Sequence, residues 1–377
     1  MSAKTDLAMR LRMAAPHLAG KRVVAGFDGF VDSIVKVVKQ KGYNTGTTYF
    51  QSIQEFGQYI VGKKGAGFSL ETEELFQKAG GNMPIMAGAL AELGVPVDCI
   101  GAMGAPHLHP VFAAMHPRCH PLSFADPGFT TAMEFSDGKF FLGQMKALNL
   151  ADWSFIKKAI GLDTIIECYQ RSDLVCLVNW SEIDASNDIW AGILRDVIPA
   201  LGPGQRERQF FFDLSDCSKR SPGTIREALG LLKEFSRAGQ VILSLNRNEA
   251  KVLYRALPES GEAQAKTGQV GEDDHCADLE FLGTALCKLL PADMLVIHTS
   301  GISLAWHKGS IYTSKPLFIP APILSTGAGD HFNAGFCSGL LMGLDPGLSL
   351  LLANTAAGFY MQNGRSPDIE ALMVTIC

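Results

Sequence analysis

An α/β fold, built on a mainly parallel sheet with helices on both faces, is what this sequence predicts. Three observations carry that expectation. Short, near-continuous apolar runs recur at Leu174 to Trp180, Phe210 to Leu214, Val241 to Leu245 and Leu295 to Thr299. Helix-like stretches separate them, near Asn187 to Leu201, Thr224 to Arg237, Asn248 to Leu257 and Asp278 to Leu289. The chain has 377 residues, 47% of them hydrophobic, which is enough for a sizeable core. Strands apolar on both faces belong to a sheet covered on both sides, and strand–helix alternation implies parallel pairing.

The remaining elements follow in order. Met1 to Gly20 is broken by Lys4, Asp6, Arg10 and Arg12, and reads as a short amphipathic helix rather than a secretion signal. Val23 to Phe27 is a buried strand, and just past it stand Asp28 and Asp32. Carboxylates past the carboxyl end of a strand sit where open α/β sheets bind ligands, although capping of a following helix accounts for them equally. Asn44 to Phe68 is polar, aromatic and glycine-rich, without a clear period. Its Gly57-x4-Gly62-Lys63 has phosphate-loop spacing, but Lys64 stands where Ser or Thr would hold magnesium, so the motif is rejected.

Gly80, Gly81 and Asn82 precede a helix from about Met83 to Leu93, and paired glycines there allow a ligand close to the backbone. Val97 to Gly104 is the next strand. His107, His109, His116, Cys119 and His120 then crowd a proline-rich stretch whose spacing matches no zinc pattern. Thr130 to Glu134 and Lys139 to Leu142 flank Ser136-Asp137-Gly138, a hairpin signal. With Asn44 to Phe68 it forms a small β subdomain over the main sheet. Trp180 ends a strand, where a ligand-stacking and a core reading both stand. Pro258 to Asp278 is polar and reads as a surface excursion. Phe336 to Met361 is apolar, but Asp345-Pro346-Gly347 divides it into two buried helices rather than a membrane span.

Composition narrows the function. A net charge of −5 leaves no basic footprint for nucleic acid. Nine scattered cysteines, with no C-x-x-C pair, point to reduced thiols and a cytoplasmic setting.

The most informative stretch is Leu324-Ser325-Thr326-Gly327-Ala328-Gly329-Asp330-His331-Phe332. Phe332, Phe336 and Leu340 recur every four residues, so a glycine turn opens a helix here. Free N–H groups around Ala328 to Asp330, at the positive end of the helix dipole, suit a phosphate. Asp330 competes with that anion unless it takes a proton from an attacking hydroxyl; simple helix capping is the alternative. Upstream, Asn246 and Glu249 lie at a strand's carboxyl end, three apart. They suit either one magnesium water shell or a reciprocal helix cap. Thr299-Ser300-Gly301 ends another strand with a turn, and Asn354 stands on a small-residue face of the last long helix.

Taken in this order, the chain resembles the ribokinase-like (PfkB-type) carbohydrate and nucleoside kinases from Val23 to about Pro367. Ser325 to Phe336 looks like the family's second signature, Asn246-x-x-Glu249 like its magnesium and phosphate motif, and Gly80-Gly81 like its glycine pair. Phe212-Asp213 looks like its strand-ending Phe-Asp-Pro, with Leu214 replacing the proline. The hairpin matches its lid. The resemblance implies one ribokinase-like three-layer domain over 1–377, with a lid from approximately 44–78 and 129–145. It implies an ATP-dependent kinase of a sugar or nucleoside hydroxyl, using Mg2+, and a homodimer through the lid. Asp330 is then the general base, and the amides of Gly327, Ala328 and Gly329 stabilise the moving phosphoryl group. Asn246, Ser300, Gly301, Ser325, Thr326 and Asn354 lie near the nucleotide, with Glu249 on magnesium through water. Asp28, Asp32, Gly80, Gly81 and Asn82 bind the acceptor.

Departures from the family pattern are specific. Leu324 replaces the Asp that opens the signature and leaves the family's monovalent-cation site unsupported. Ile85 replaces an Asn that grips furanose sugars, and Leu304 replaces a glycine after Thr-x-Gly. These losses keep a second class open, a non-catalytic relative that binds a sugar or nucleoside. A dinucleotide-dependent dehydrogenase lacks its third glycine, since Phe332 stands in that region.

Overall fold

The computed structural model describes residues 2–43, 46–202, 208–257 and 276–376. The excursion expected at Pro258 to Asp278 therefore falls, but for its last three residues, outside the described residues. The strands are β1 (Val23–Phe27), β2 (Phe30–Gln40), β3 (Thr48–Tyr49), β4 (Thr72–Gly80), β5 (Val97–Gly101), β6 (Cys119–Ser123) and β7 (Gly128–Phe135). They continue with β8 (Gly138–Gln144), β9 (Leu174–Leu177), β10 (Gln209–Asp213), β11 (Gln240–Asn246), β12 (Met294–His298), β13 (Ser303–His307) and β14 (Ser310–Ser314).

Among these, nine strands form one sheet in the order β14-β13-β12-β11-β10-β9-β1-β5-β6. All pairs from β6 to β12 are parallel, and β13 and β14 close one edge antiparallel. The expected core strands all appear because their side chains are buried on both faces. In β10, Phe210 and Phe212 pack with Phe235 and Trp190, whereas Phe211 points the other way, into the layer of Phe332 and Phe336. This alternation along a pleated strand sends successive residues to opposite helical layers.

Strands β2, β3, β4, β7 and β8 make a second sheet. The hairpin expected around Ser136-Asp137-Gly138 is there as β7 and β8, paired antiparallel from Phe129↔Gln144 to Phe135↔Gly138. Two of its partners differ from expectation. Asp32, read as a loop residue, lies inside the eleven-residue strand β2. Lys78 to Gly80 end strand β4, which pairs antiparallel with β2 and places Asp32 opposite Lys78. The His-rich stretch is not all loop either, since Cys119 to Ser123 extends the main sheet as β6. His116 Nδ1 accepts the Arg118 N–H there, and His120 meets Asp98 at 3.3 Å.

The apolar stretch near the C-terminus forms two helices, Ala328–Leu341 and Pro346–Asn363, as its Asp-Pro-Gly break predicts. No described helix is long and apolar enough to cross a membrane. The pair packs closely because Gly335 and Gly339 carry no side chain. A Cβ on Gly335 would lie 2.8 Å from the Ala353 Cα, and one on Gly339 2.6 Å from the Ser349 Oγ. Those small residues thus serve helix contact. Asn354 is 4% exposed, and its Nδ2 donates to Ser303 Oγ at 2.8 Å and Ser314 Oγ at 3.0 Å, tying this helix to β13 and β14. Replacing Gly339 with Val overpacks this contact. Stability is expected to fall by about 1–3 kcal/mol, read as a lower midpoint in urea unfolding; an unchanged midpoint contradicts the packing described.

Candidate active site

The carboxyl ends of β1, β10, β11 and β12 meet the start of the helix Ala328–Leu341. Asn333 docks that helix: its Nδ2 donates to Asp213 Oδ2 at 2.6 Å, and its Oδ1 accepts from Ser244 Oγ at 2.8 Å. One turn earlier the same helix carries Asp330, 9% exposed. Burial holds the Asp330 carboxyl well above the usual carboxylate range, and repulsion from Asp213, Asp28 and Glu249 adds to it. Three buried acids therefore surround the candidate base.

The turn before Asp330 has Gly327 at φ 94° and ψ 0°, a conformation that favours glycine. A Cβ there would also stand 3.1 Å from Tyr360 Oη. Of the three amides expected to face an anion, one is already engaged, because the Ala328 N–H donates to the Ser325 carbonyl at 3.1 Å. The turn uses that donor to close on itself. Gly327 and Gly329 remain as donors, and Ser325 and Thr326 are exposed beside them.

Asn246 and Glu249 form the reciprocal cap that the spacing allows. Asn246 N–H and Nδ2 donate to the Glu249 carboxylate at 2.8 and 2.6 Å, and Glu249 N–H returns a bond to Asn246 Oδ1 at 2.9 Å. Glu249 is 6% exposed, and burial, with repulsion from Asp213, raises its pKa. Asp213 is likewise raised by burial. Such a cluster of carboxylate oxygens suits a hard dication, whose charge relieves the repulsion. Among the described residues, no three acidic, His or Cys groups stand close enough to chelate an ion directly. The donor set thus fits magnesium that keeps its waters. Ser300 and Gly301 are exposed on the turn after β12, where the Gly301 N–H donates to Thr299 Oγ1 at 3.1 Å.

Across the site, Asp32 is 8% exposed between Lys78 on β4 and Thr130 on β7. Burial raises its pKa, offset by the Lys78 ammonium and a hydrogen bond from Thr130. Gly80 makes room for it, since a Cβ there would meet the Asp32 carboxylate at 2.4 Å. Asp28, expected to bind an acceptor, is instead the helix cap. It is fully buried and accepts from the Asn82 and Met83 N–H groups at 2.8 Å each and from Asn179 Nδ2. Burial lifts its pKa to about 6 against those bonds. Gly81, at φ 91°, lies against it, and Asn82 Nδ2 donates to Ser215 Oγ at 3.0 Å. Asn354, held on Ser303 at the start of β13, lies just past the turn that carries Ser300 and Gly301. Trp180 takes the core role, 1% exposed, its Nε1–H on Asn187 at 2.7 Å.

Three residues, Lys78, His298 and Tyr360, join the site without a sequence signal that singled them out for it, and Asp213 joins them with only the strand-ending Phe-Asp pattern to mark it. Lys78 is drawn electrostatically to both Asp32 and Asp330, although burial lowers its pKa. Asp213 stands behind Asp330 and Glu249. His298 pairs in register with Asn246, stacks on Phe332 with ring centroids 4.6 Å apart, and approaches Gly329. Tyr360 touches the back of the turn and donates to the Thr326 carbonyl at 2.8 Å. Their partners are distant in sequence, from His298 to Gly329 up to Lys78 to Asp330, so no local spacing reports them.

Known proteins share this fold. A sequence profile described as prokaryotic ketohexokinase matches residues 3–376. The ketohexokinase of Haloferax volcanii is 26% identical over 357 residues, covering 94% of this chain and 90% of that one. Arabidopsis thaliana ribokinase complexed with ribose and ATP superposes with a TM-score of 0.62, at 17% identity over 94% of this chain and 98% of its own. An E. coli structure described as a candidate ribokinase II, in complex with ATP and Mg2+, gives 0.60 at 12% identity over 94% and 98%. A profile matching nearly every residue, on a fold shared with ribokinases, places this chain in the prokaryotic ketohexokinase family.

Proposed function

We propose that the acceptor is a ketohexose and that Asp330 takes the proton from its attacking hydroxyl. The chain is an ATP-dependent sugar kinase. The observation that supports the proposed roles is the pairing of Asp330, at a glycine turn, with Asp32 across a site where Lys78 attracts both. In this reading Asp32 and the backbone at Gly80, Gly81 and Asn82 hold the sugar. As its hydroxyl oxygen forms a bond to the γ-phosphorus, the proton passes to Asp330 and the bond to the β,γ-bridging oxygen breaks, releasing ADP. The N–H groups of Gly327 and Gly329 steady the charge on the transferring group. Ser325, Thr326, Ser300, Gly301 and Asn246 border the nucleotide. Magnesium, bound with ATP, would neutralise phosphate charge, with Glu249 and Asp213 facing its water shell.

Asp330→Asn is expected to keep nucleotide binding and to slow turnover by about 10² to 10⁴. In the parent enzyme the acid limb of kcat/KM is expected above the ordinary carboxylate range, because burial raises the free-enzyme Asp330 and activity is lost as pH falls through that value. A limb at the usual carboxylate position, or full activity in the variant, places the base elsewhere.

Specificity and cation use are tested together. Leu324 packs near Gly364, and the Thr326 and Gly327 carbonyls already accept from Tyr360 and His331, which supports activity without a monovalent cation. ADP release is expected with ketohexoses, equally in sodium and potassium buffers, and weakly or not at all with nucleosides. A nucleoside preference or a potassium requirement rejects the corresponding half.

The second sheet is read as a lid on a single ribokinase-like unit. Its Phe76, Phe140, Phe141 and Leu142 are 43–52% exposed, which supports a homodimer through that sheet. The described cysteines are free thiols, in keeping with a cytoplasmic enzyme. Sedimentation equilibrium should give twice the chain mass, and Phe76→Lys should lower it; a monomer at all concentrations removes the dimer from this reading.

A further inference from the structure

Residues 325–328 form a reverse turn closed by the bond from the Ala328 N–H to the Ser325 carbonyl, with Gly327 third at positive φ. That combination is a type II turn. Types I and II differ by a half-rotation of the central peptide unit, here the one joining Thr326 to Gly327. Because the unit is planar and trans, holding its carbonyl on one side aims its N–H at the other. The Thr326 carbonyl is held. It accepts the Tyr360 hydroxyl at 2.8 Å.

Tyr360 is in turn held by His331. Their rings stack with centroids 3.7 Å apart and planes 15° from parallel. A carbonyl only accepts, so His331 Nδ1 carries the proton it gives to the Gly327 carbonyl at 2.7 Å. Nε2 then accepts from Ser366 Oγ at 2.8 Å. With both ring nitrogens committed, the imidazole has one orientation. Burial keeps it neutral by pushing its pKa to about 4, and burial with the nearby Asp330 and Asp32 raises the Tyr360 phenol to about 12, so its donor proton stays.

We infer that Tyr360 is a positioning residue whose hydroxyl latches the Thr326–Gly327 peptide with its N–H turned toward the phosphoryl group, and that His331 fixes the latch. This rests on the reading of the turn as the phosphoryl cradle. The alternative peptide orientation would put a carbonyl oxygen in the path of an anion and remove one of the two amides left after Ala328 is spent in the turn. Neither side chain needs to touch substrate for the effect to appear in transfer.

Tyr360→Phe keeps the ring and its stacking and deletes only the hydroxyl. The expected result is a loss on the order of tenfold in kcat, about what one hydrogen bond supplies. Affinity for the magnesium complex of a non-hydrolysable ATP analogue, measured by calorimetry, should fall in step, while acceptor KM and melting temperature stay near the parent values. His331→Asn retains a donor near the Nδ1 position and should keep more activity than His331→Gln, which does not. Parent-like kcat and nucleotide affinity in Tyr360→Phe overturn the latch, as does equal loss in the two His331 variants. Should the parent phosphorylate no sugar, the proposed acceptor falls by itself. The calorimetric comparison of parent and Tyr360→Phe then still decides the latch.

Discussion

The site depends on one buried amide. Asn333 is 0% exposed and joins the first turns of the helix Ala328–Leu341 to two neighbouring strands through Asp213 and Ser244. An amide is suited to this place because its Nδ2 donates to the Asp213 carboxylate while its Oδ1 accepts from Ser244, whereas a carboxylate would have no proton to offer Asp213 in a low-dielectric interior. Its bonds set how far the helix start stands from the strand ends. Asp330, three residues before it, and the glycine turn before that inherit their positions from this contact.

That placement is electrostatically costly, and the cost is concentrated where chemistry is expected. Asp28, Asp213, Glu249 and Asp330 are all buried, and all have raised pKa values. Each is hydrogen-bonded or close to a backbone N–H, so the fold tolerates them singly, but their mutual repulsion is left standing. Lys78 is drawn to Asp330 from the opposite sheet without cancelling that repulsion. A fold that gathers several mutually repelling acids around a helix start is poised for a dication to enter. Perturbed groups of this kind gather at sites of function more than in ordinary cores.

What could be read in advance follows from how local the physics is. The central strands were legible because burial on both faces leaves an unbroken apolar run, as in Phe210-Phe211-Phe212. The helix pair near the C-terminus was legible from its Asp-Pro-Gly break, and the turn at Gly327 from two glycines before a four-residue repeat. Strand β4 was hidden because Thr72 to Gln77 is exposed and charged, with no apolar alternation to report it. Without β4, nothing set Lys78 opposite Asp32. Asp28 and Asn246 had equal claims as ligands and as caps, and the capping bonds to Asn82 and Glu249 appear only with the coordinates. Tyr360 illustrates the deeper limit: its partner is a carbonyl 34 residues away, a group every residue possesses.

The first link between the two sheets is very short. Strand β1 ends at Phe27 and β2 begins at Phe30, leaving Asp28 and Gly29 as the whole connection, and Asp28 is pinned to the helix that follows β4. At the other end Gly80 closes β4 and Gly81 leads directly into that helix. Asp32 and Lys78 ride on the second sheet, while Asp330 and the glycine turn belong to the first. A tilt of one sheet on the other would therefore act like a jaw with teeth on both halves, changing the reach between Asp32 and Lys78 on one side and Asp330 with the glycine turn on the other.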